Sequence, residues 1–443
     1  MIFVKGKSMS YYPLKICKGG WAMTKHLHKK FSTEEVKILL QKYLNERVKL
    51  SYFLEILKIK KSRFFELLKE YKRNPNSFSI QYKRTIPTRK ISRDVEKNII
   101  NELKKEKELI EDKEIPLTFY NYSYIKDLIS QKYKQEVSLP TIITRAKKEG
   151  LYIPKKKEKK SHDREILTNY IGELIQHDSS YHKFSPYADK KWCLITSLDD
   201  YSRLLLYAKL IERESSWQHI SALQHVFLVF GIPLRYYVDS HSIFRFVQGR
   251  DSMYRHHYLL TDDVDTQWKK VLDICKVNVT YALSPNAKGK IERPYRWMQD
   301  RIVRTCAREG IKTVEGGQEV LEKEIERYNY HQVHSTTKEI PIIRFERAIR
   351  EKKSLYREFV IPSPYTSLKD IFCLRAKRVV DAYHKISIHN LKLKVHKAPL
   401  RKEVELHIAP DEETGIAEVR IWYKDILCDV YYVKNSDLNL VHF

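Results

Sequence analysis

Long apolar runs are missing from this 443-residue sequence. The longest, such as residues 194–198 and 204–211, fall well short of the roughly 18 residues that a helix needs to cross a bilayer. The N-terminus has basic residues but no apolar segment leading to a small-residue cleavage site, so no signal peptide is predicted. We therefore expect an intracellular protein without a membrane span.

Paired cysteines are missing as well. The six cysteines are scattered singly and form no CxxC pair, which would indicate a zinc or redox site. We expect them to be small core or surface residues in a reducing compartment. The pair His331 and His334 has no cysteine near it, so the spacing does not predict a zinc site there either.

Acidic residues are few relative to basic ones. The 83 Lys and Arg against 56 Asp and Glu give a net charge of +27, which favours a polyanionic partner over a neutral small substrate. Residues 1–160 hold 39 basic and 18 acidic side chains, whereas the remaining residues hold 44 and 38. A lysine-rich composition inherited from an AT-rich genome would not explain this asymmetry. The first third of the chain is therefore predicted to carry the main contact with nucleic acid.

The basic third begins with a group of three predicted helices. Residues 1–30 show no periodicity, and we expect a disordered tail there. Within residues 31–85, apolar side chains recur at spacings of three and four, with Ser32 or Thr33 as the first N-cap. The segment KIKKSR opens the third helix, as in a helix-turn-helix domain whose third helix enters the major groove. The residues expected to contact DNA are Lys60, Lys61 and Arg63.

Residues 86–154 repeat this pattern and predict a second helix-turn-helix or winged-helix-like DNA-binding domain. Helices are expected at residues 93–108, 122–133 and 139–150, the last with Pro140 in its first turn. One face of that helix is expected to contact DNA through Thr141, Thr144, Arg145 and Lys148. Either group of helices could instead be a packing or dimerisation module, which the charge asymmetry disfavours.

After a basic linker expected at residues 155–166, the pattern changes to strands. Residues 172–178 alternate as a strand that ends with Asp178 before a polar turn, and residues 192–198 and 204–210 form a hairpin. A helix at residues 216–230 leads to a strand that ends with Asp239. These elements predict an α/β catalytic core with a mixed sheet at residues 167–350, in which Asp178 and Asp239 emerge from neighbouring strands.

A third carboxylate lies in the stretch SPNAKGKIERPYRWMQD. Apolar residues at helical spacing predict a stripe that packs on the sheet, with Glu292 at its edge, where the side chain can reach over the rim of the sheet. The stripe consists of Ile291, Tyr295, Met298, Ile302 and Cys306. The outer face is expected to turn Arg293, Arg296, Arg301, Arg304 and Arg308 to solvent or phosphate. DNA contacts are expected from Lys288, Lys290, Arg293 and Arg296.

Asp178, Asp239 and Glu292 together suit hard divalent cations, which prefer oxygen ligands. Two such ions, Mg²⁺ or Mn²⁺, about 3.5 to 4 Å apart, activate an attacking oxygen and stabilise the leaving oxygen at phosphorus.

Other interpretations are open for the polar residues near these three carboxylates. Asp199 and Asp200 are expected to serve the hairpin turn, and His177 either touches the site or has a structural or DNA-facing role.

The motifs HDSS, LDDYSR, YVDSHSIF, SPNAKGKIER and YNYHQVHSTTKEIP resemble the integrase core of bacterial insertion-sequence transposases, the DDE group related to retroviral integrases. The likeness covers roughly residues 173–346 and implies a ribonuclease H-like fold with Asp178, Asp239 and Glu292 as the catalytic triad. Two features depart from the compact family pattern. An insertion is expected at residues 249–267, and Gln332 and His334 stand where many relatives have an arginine before the histidine.

Residues 375–443 alternate again and predict five short strands in a small β-barrel, which either touches DNA or only mediates interactions.

The protein is expected to be a transposase that cleaves element ends and transfers them to target DNA. We expect it to act as a homodimer or higher oligomer in the prokaryotic cytoplasm, associated with the nucleoid. The alternatives are an inactive or domesticated DNA-binding regulator and a ribonuclease H-like nuclease.

Overall fold

The computed structural model describes residues 27–46, 48–81, 91–154, 167–239, 243–244, 266–282, 289–388 and 391–438. The chain divides into two compact units, residues 1–92 and 93–443. The linker expected at residues 155–166, the insertion up to Asp265 and most of the N-terminal tail lie outside the described residues.

The first unit contains three helices, α1 (Thr33–Asn45), α2 (Leu50–Leu57) and α3 (Lys61–Arg73), after a 3-10 turn at Leu27–Lys29. Ser32 caps α1: its side chain accepts a hydrogen bond from the Glu35 N–H, and the Glu35 carboxylate accepts one from the Ser32 N–H. The apolar stripes of the three helices meet in one core. The three predicted helices are confirmed, with Ser32 as the first N-cap and the third helix beginning within KIKKSR.

The second unit begins with another three helices, α4 (Arg93–Glu111), α5 (Tyr122–Tyr133) and α6 (Leu139–Lys148), called here the α4–α6 bundle. Pro140 lies in the first turn of α6, as predicted. Gly150 follows the helix with φ of +70°, a left-handed conformation that suits glycine at a helix end.

A five-stranded mixed sheet forms the centre of the second unit. Its strands are β1 (Ile175–His182), β2 (Trp192–Asp199), β3 (Leu205–Ile211), β4 (Arg235–Val238) and β5 (Asn278–Tyr281), in the order β3-β2-β1-β4-β5. The first three are antiparallel, whereas β4 pairs in parallel with β1 and β5 in parallel with β4. The predicted mixed sheet is confirmed; β5 was not predicted.

Helices cover both faces of this sheet. One face packs against α7 (Ser216–Val229) and α8 (Gln267–Ile274), with Ile175, Tyr236 and Trp268 in the core. The other packs against α9 (Gly289–Glu309) and α10 (Val314–Tyr330). The helix α11 (Pro341–Arg350) follows. This layering buries the sheet between apolar helix faces.

One predicted boundary in this region is wrong. The strand β1 does not end at Asp178: it continues to His182, because Ser179 and Ser180 pair with the buried residues Ile195 and Leu194 of β2. The helix α9 begins at Gly289 and contains Pro294 as its sixth residue.

The C-terminal region contains a short helix, α12 (Leu368–Ile371), and six strands. β6 (Leu374–Val379), β9 (Glu403–Pro410), β10 (Ile416–Tyr423) and β11 (Ile426–Lys434) form a four-stranded antiparallel sheet, and β7 (Lys385–Ile388) pairs with β8 (Leu391–Lys394). The predicted closed barrel is not observed: within the described ranges both sheets are open. The prediction omitted β6, which occupies an edge of the larger sheet.

Across the described part of the chain, no helix combines the length and the apolar character that a membrane span requires.

The cysteines that the structure describes are free and buried, which confirms the prediction of small core residues: Cys193, Cys275, Cys306, Cys373 and Cys428. Burial raises the pKa of the Cys193 thiol to about 12, so this thiol stays protonated at neutral pH.

Candidate active site

Asp178 and Asp239 occupy corresponding positions on neighbouring parallel strands. The register pairs Ile175 with Tyr236 and Gln176 with Tyr237. Two residues further along each strand stand Asp178, inside β1, and Asp239, directly after β4. Since adjacent strands lie about 4.8 Å apart, the backbones of the two aspartates are neighbours. Both residues are partly exposed, so solvent reaches this part of the sheet.

The helix α9 crosses the sheet beside Asp178. Thr196, the cross-strand partner of Asp178, donates a hydrogen bond from its hydroxyl to the Tyr295 hydroxyl at 2.9 Å. Gln299, one turn further along α9, donates to the Ser180 hydroxyl at 3.1 Å. Burial, followed by the negative charge of Asp178, raises the pKa of Tyr295, so the phenol stays protonated. These contacts place Asp178 on the face of the sheet that α9 covers.

Glu292 belongs to α9 and precedes Tyr295 by three residues, or about one helical turn. Its side chain lies outside the described residues, as do those of Lys290 and Arg293, and Lys288 lies outside them altogether. Four members of the predicted apolar stripe, Tyr295, Met298, Ile302 and Cys306, are buried against the sheet. The stripe prediction is therefore confirmed for these four residues.

The donor chemistry of the aspartate pair fits a hard cation, because carboxylate oxygens at the same level of two strands can share one ion. A group of three or more His, Cys, Asp or Glu side chains able to hold a metal is not found among the described residues. That set includes Asp178 and Asp239 but not the Glu292 side chain.

The neighbouring aspartates Asp199 and Asp200 belong to the β2–β3 turn, as predicted. Asp199 is completely buried and accepts hydrogen bonds from the Gly172 and Ser202 N–H groups, both at 2.8 Å. Burial raises its pKa to about 6. Asp200 accepts from Arg203 at 3.0 Å and from Thr168 at 2.8 Å. Both carboxylates are therefore occupied by hydrogen bonds in and around the β2–β3 turn.

His177 is structural. It precedes Asp178 and therefore faces the opposite side of β1, where it is completely buried. Its Nδ1 lies 2.9 Å from the Ser197 hydroxyl and its Nε2 lies 2.8 Å from Nδ1 of the equally buried His219. His219 Nε2 in turn lies 2.9 Å from the Glu214 carboxylate. A DNA-facing role is excluded by this burial.

The motif YNYHQVH has a structural explanation. The Asn329 side chain accepts a hydrogen bond from the Leu205 N–H and donates one to the Leu205 carbonyl, each at 3.0 Å. Gln318 accepts from the Leu210 N–H at 2.8 Å. The helix α10 thus caps the edge strand β3 with two amide side chains. His334 Nδ1 accepts from the Thr336 and Thr337 N–H groups and shapes the following loop.

Among the residues predicted to contact DNA, those whose side chains the structure describes fall into two groups. Lys60 and Lys61 at the start of α3, Lys148 on α6 and Arg296 on α9 are exposed. The others have protein partners: Arg63 pairs with Glu66 at 2.8 Å, and Arg145 pairs with Glu96 at 2.7 Å. The Thr144 hydroxyl donates to the Pro140 carbonyl, and that of Thr141 lies 2.8 Å from the Ser138 hydroxyl.

The prediction that the outer arginines of α9 face solvent is wrong for Arg301, Arg304 and Arg308. Arg301 and Arg304 are fully or almost fully buried, and Arg308 is 12% exposed at its side chain. Their partners are carboxylates on α4, α5, α9 and α10. The sequence contains a signal for this: Glu102 and Glu106 stand on the apolar face of α4 beside Ile99 and Leu103.

No protein-family model matches the chain. It is 26% identical over 298 residues to a candidate transposase, y4bF, of Sinorhizobium fredii, a match that covers 66% of this chain and 59% of the relative. It is also 25% identical over 233 residues to the transposase for insertion sequence IS1202 of Streptococcus pneumoniae, covering 52% and 44%. The chain thus spans about half the length of these relatives.

Solved structures with some likeness include the catalytic core domains of BIV integrase and of HTLV-2 integrase in complex with magnesium. They are 15% and 16% identical, and each match covers 41% of this chain and 98% of the other. The TM-score is 0.29 in both cases, too low to establish a common fold. The two relatives, by contrast, confirm by sequence the predicted resemblance of this chain to the transposases of bacterial insertion sequences.

Proposed function

We propose that this chain is a DDE-type polynucleotidyl transferase that cleaves DNA at the ends of a mobile element and joins the freed 3′ hydroxyls to target DNA. The observation that carries the proposal is the alignment of Asp178 with Asp239 on adjacent strands, in a chain that resembles transposases over two thirds of its length. Its substrate is double-stranded DNA, and its catalytic core is ribonuclease H-like.

In this proposal Asp178 and Asp239 hold divalent cations jointly, and Glu292 on α9 completes the ligand set. Mg²⁺ or Mn²⁺, two ions per site, would supply an activated attacking oxygen and charge stabilisation at the leaving oxygen. The contacts of α9 with Thr196 and Ser180 keep the helix that carries Glu292 beside β1. Exposed basic residues such as Arg296 and Lys148 hold the phosphate backbone.

The remaining parts of the proposal follow the expected organisation. The helical groups at residues 31–85 and 86–154 read element-end DNA, and residues 167–350 carry the chemistry. The enzyme acts as a homodimer or higher oligomer on DNA, because two element ends must be processed together. It works in the prokaryotic cytoplasm, associated with the nucleoid.

The test compares strand cleavage of a DNA fragment that carries the element's end, with and without Mg²⁺. Asp178→Asn, Asp239→Asn and Glu292→Gln are each expected to abolish cleavage, because the neutral side chains no longer bind cations strongly. DNA binding, measured by gel shift on the same fragment, is expected to persist. Asp189→Asn serves as the matched control, since Asp189 is exposed in the loop between β1 and β2.

Mg²⁺-dependent cleavage by the Asp239→Asn protein would refute the assignment of the site. A wild-type protein that binds the fragment but never cuts it would instead identify an inactive DNA-binding regulator. Preferential cleavage of the RNA strand in a hybrid would identify a ribonuclease H-like nuclease.

A further inference from the structure

The α4–α6 bundle packs against α9, the helix that carries Glu292. The contact includes a small apolar cluster in which Val303 and Ala307 of α9 are buried against Ile115 and Leu117. Tyr124 of α5 adds a hydroxyl contact at 2.9 Å to Thr305. Apolar burial of this kind holds the α4–α6 bundle on α9. It does not fix the rotation of the bundle about the α9 axis, because the hydrophobic effect has little directionality.

The orientation of the bundle is instead fixed by a row of ion pairs between α4 and α9 on the same surface. Glu102 and Glu106 are one turn apart on α4, and Arg304 and Arg308 are one turn apart on α9. Arg308 donates to Glu102 at 2.6 Å and to Glu106 at 2.8 Å, and Arg304 donates to Glu106. We call these four residues the clamp.

Further partners surround the clamp. Arg304 donates to Asp300 at 2.7 Å and to the Phe119 carbonyl at 2.6 Å, and Asn121 donates to Asp300. Arg301 of α9 makes a second link between the α4–α6 bundle and the helices that cover the sheet. It donates to Asp127 of α5 at 2.9 Å and to Glu324 of α10 at 2.6 Å. Arg guanidinium groups make such contacts in a fixed planar geometry, which gives them orientational specificity.

The clamp is dry. The side chains of Glu102, Glu106 and Arg304 are completely buried, and that of Arg308 is 12% exposed. Burial alone would raise the pKa of Glu102, but hydrogen bonds from Tyr133, Arg308 and Lys132 outweigh it and lower the pKa. The Glu102 carboxylate is therefore charged at neutral pH. An arrangement of buried ion pairs is weak as a source of stability but well suited to specifying one geometry.

We propose that the clamp positions the α4–α6 bundle on the helix that carries Glu292, so that the protein sets the distance between the DNA sequence read by the bundle and the phosphodiester that is cut. This inference rests on the proposed function. Arg304 and Arg308 are positioning residues: they contact neither the reacting atoms nor the DNA phosphates, because their guanidinium groups are occupied by carboxylates.

The first test measures the attachment itself in the full-length protein. A protease site is inserted between Pro154 and Leu167, and the cleaved protein is passed over a sizing column. The wild-type fragments are expected to co-elute. The double variant Glu102→Gln, Arg308→Met is expected to co-elute as well, because the apolar cluster remains and the variant removes an ion pair without leaving a buried charge alone. Separation of the wild-type fragments would overturn the proposal.

The second test measures the position of the cut on a fragment that carries the element's end. Wild-type protein and the control Arg350→Met, an exposed arginine on α11, are expected to cut at one phosphodiester. The double variant is expected to cut at several adjacent positions. Arg308→Lys keeps the charge but lacks the planar guanidinium group that reaches both carboxylates, and it is expected to cut at fewer positions than the double variant but not at a single one. A merely structural role would lower the yield and leave the position unchanged, and that result would overturn the proposal.

The two proposals fail in different ways. If the wild-type protein cuts no DNA in Mg²⁺, the proposed function fails, while co-elution of the fragments still reports on the attachment of the α4–α6 bundle. If the wild-type protein cuts and the double variant, shown to be folded by circular dichroism, cuts at the same single position, only the positioning role is refuted.

Discussion

At the scale of single residues, the buried polar side chains that hold this structure together have backbone groups or opposite charges as partners. Asp178 and Asp239 were recognisable because each stands at or near the end of a strand pattern, a local signal. The burial of Arg304 was missed, because its partner Glu106 is 198 positions away in the chain and the two carboxylates on the apolar face of α4 are the one local signal for it. A run of arginines on one helix face predicts phosphate contact equally well until the opposing surface is known.

Asn329 gives a residue-scale prediction about stability. Its amide satisfies both backbone groups of Leu205 on the edge strand β3, and all of these atoms are buried. Asn329→Ala is expected to lower the free energy of unfolding by about 2 to 4 kcal/mol, since it leaves a buried N–H and a buried C=O without a partner. Urea denaturation measures this loss. Gln332→Ala, at an exposed position, is the matched control, and an equal effect of both would contradict the assignment.

At the scale of secondary-structure elements, helices were easier to predict than strands. The apolar periodicity and the caps of α1 and α5 lie within each segment, so their positions could be read directly. The length of β1 could not, because Ser179 and Ser180 are turn formers that join the strand only through pairing with β2. The short strand β5 and the edge strand β6 were omitted for the same reason. Pairing partners, rather than local preference, decide such segments.

The helix α12 anchors the C-terminal sheet through Asp370, which is completely buried. Its carboxylate accepts hydrogen bonds from Arg420 at 2.6 Å and from the Trp422 indole at 2.8 Å. Burial alone would raise the pKa of Asp370, but hydrogen bonds from His407, Arg420 and Trp422 lower it below the ordinary value of 3.8. The short helix and the sheet are thus joined by an ionised group.

The pH dependence of stability follows from this shift. Because folding favours the charged form of Asp370, its stabilisation is complete above pH 3.8 and is lost as the pH falls below that value. Asp370→Asn is expected to cost about 3 to 5 kcal/mol at neutral pH, since Arg420 loses its buried counter-charge, and to flatten the decline of Tm in acid. Asp425→Asn, in the exposed turn between β10 and β11, should leave both unchanged.

At the scale of the whole molecule, the chain forms two compact units, residues 1–92 and 93–443. Most of the second predicted DNA-binding domain, residues 86–154, thus lies in the same unit as the mixed sheet. Composition and linkers cannot show this, because the attachment of the α4–α6 bundle depends on side chains from distant helices. The mixed sheet, by contrast, followed from the strand pattern, although β1 continues past Asp178 to His182.

Two truncations test this division. A protein beginning at Arg93 is expected to remain folded, since residues 93–443 keep their contacts. A protein beginning at Leu167 is expected to be much less stable or insoluble, because Val303 and Ala307 lose their apolar cover and Arg304 loses Glu106. Thermal unfolding of the purified proteins measures both effects. Equal stability of the two would contradict the assignment of the bundle to the second unit.

The proposed mechanism requires that Asp178, Asp239 and Glu292, which are far apart in the chain, surround the same metal ions. Iron-directed cleavage reports on this arrangement: Fe²⁺ replaces Mg²⁺ in the DNA-bound protein, and peroxide then produces hydroxyl radicals that cut the polypeptide beside the iron. Cuts are expected near all three residues, and they are expected to disappear in excess Mg²⁺ and in Asp239→Asn. Cuts confined to one of the three segments, or cuts that persist in Asp239→Asn, would show that the three carboxylates do not share a metal site.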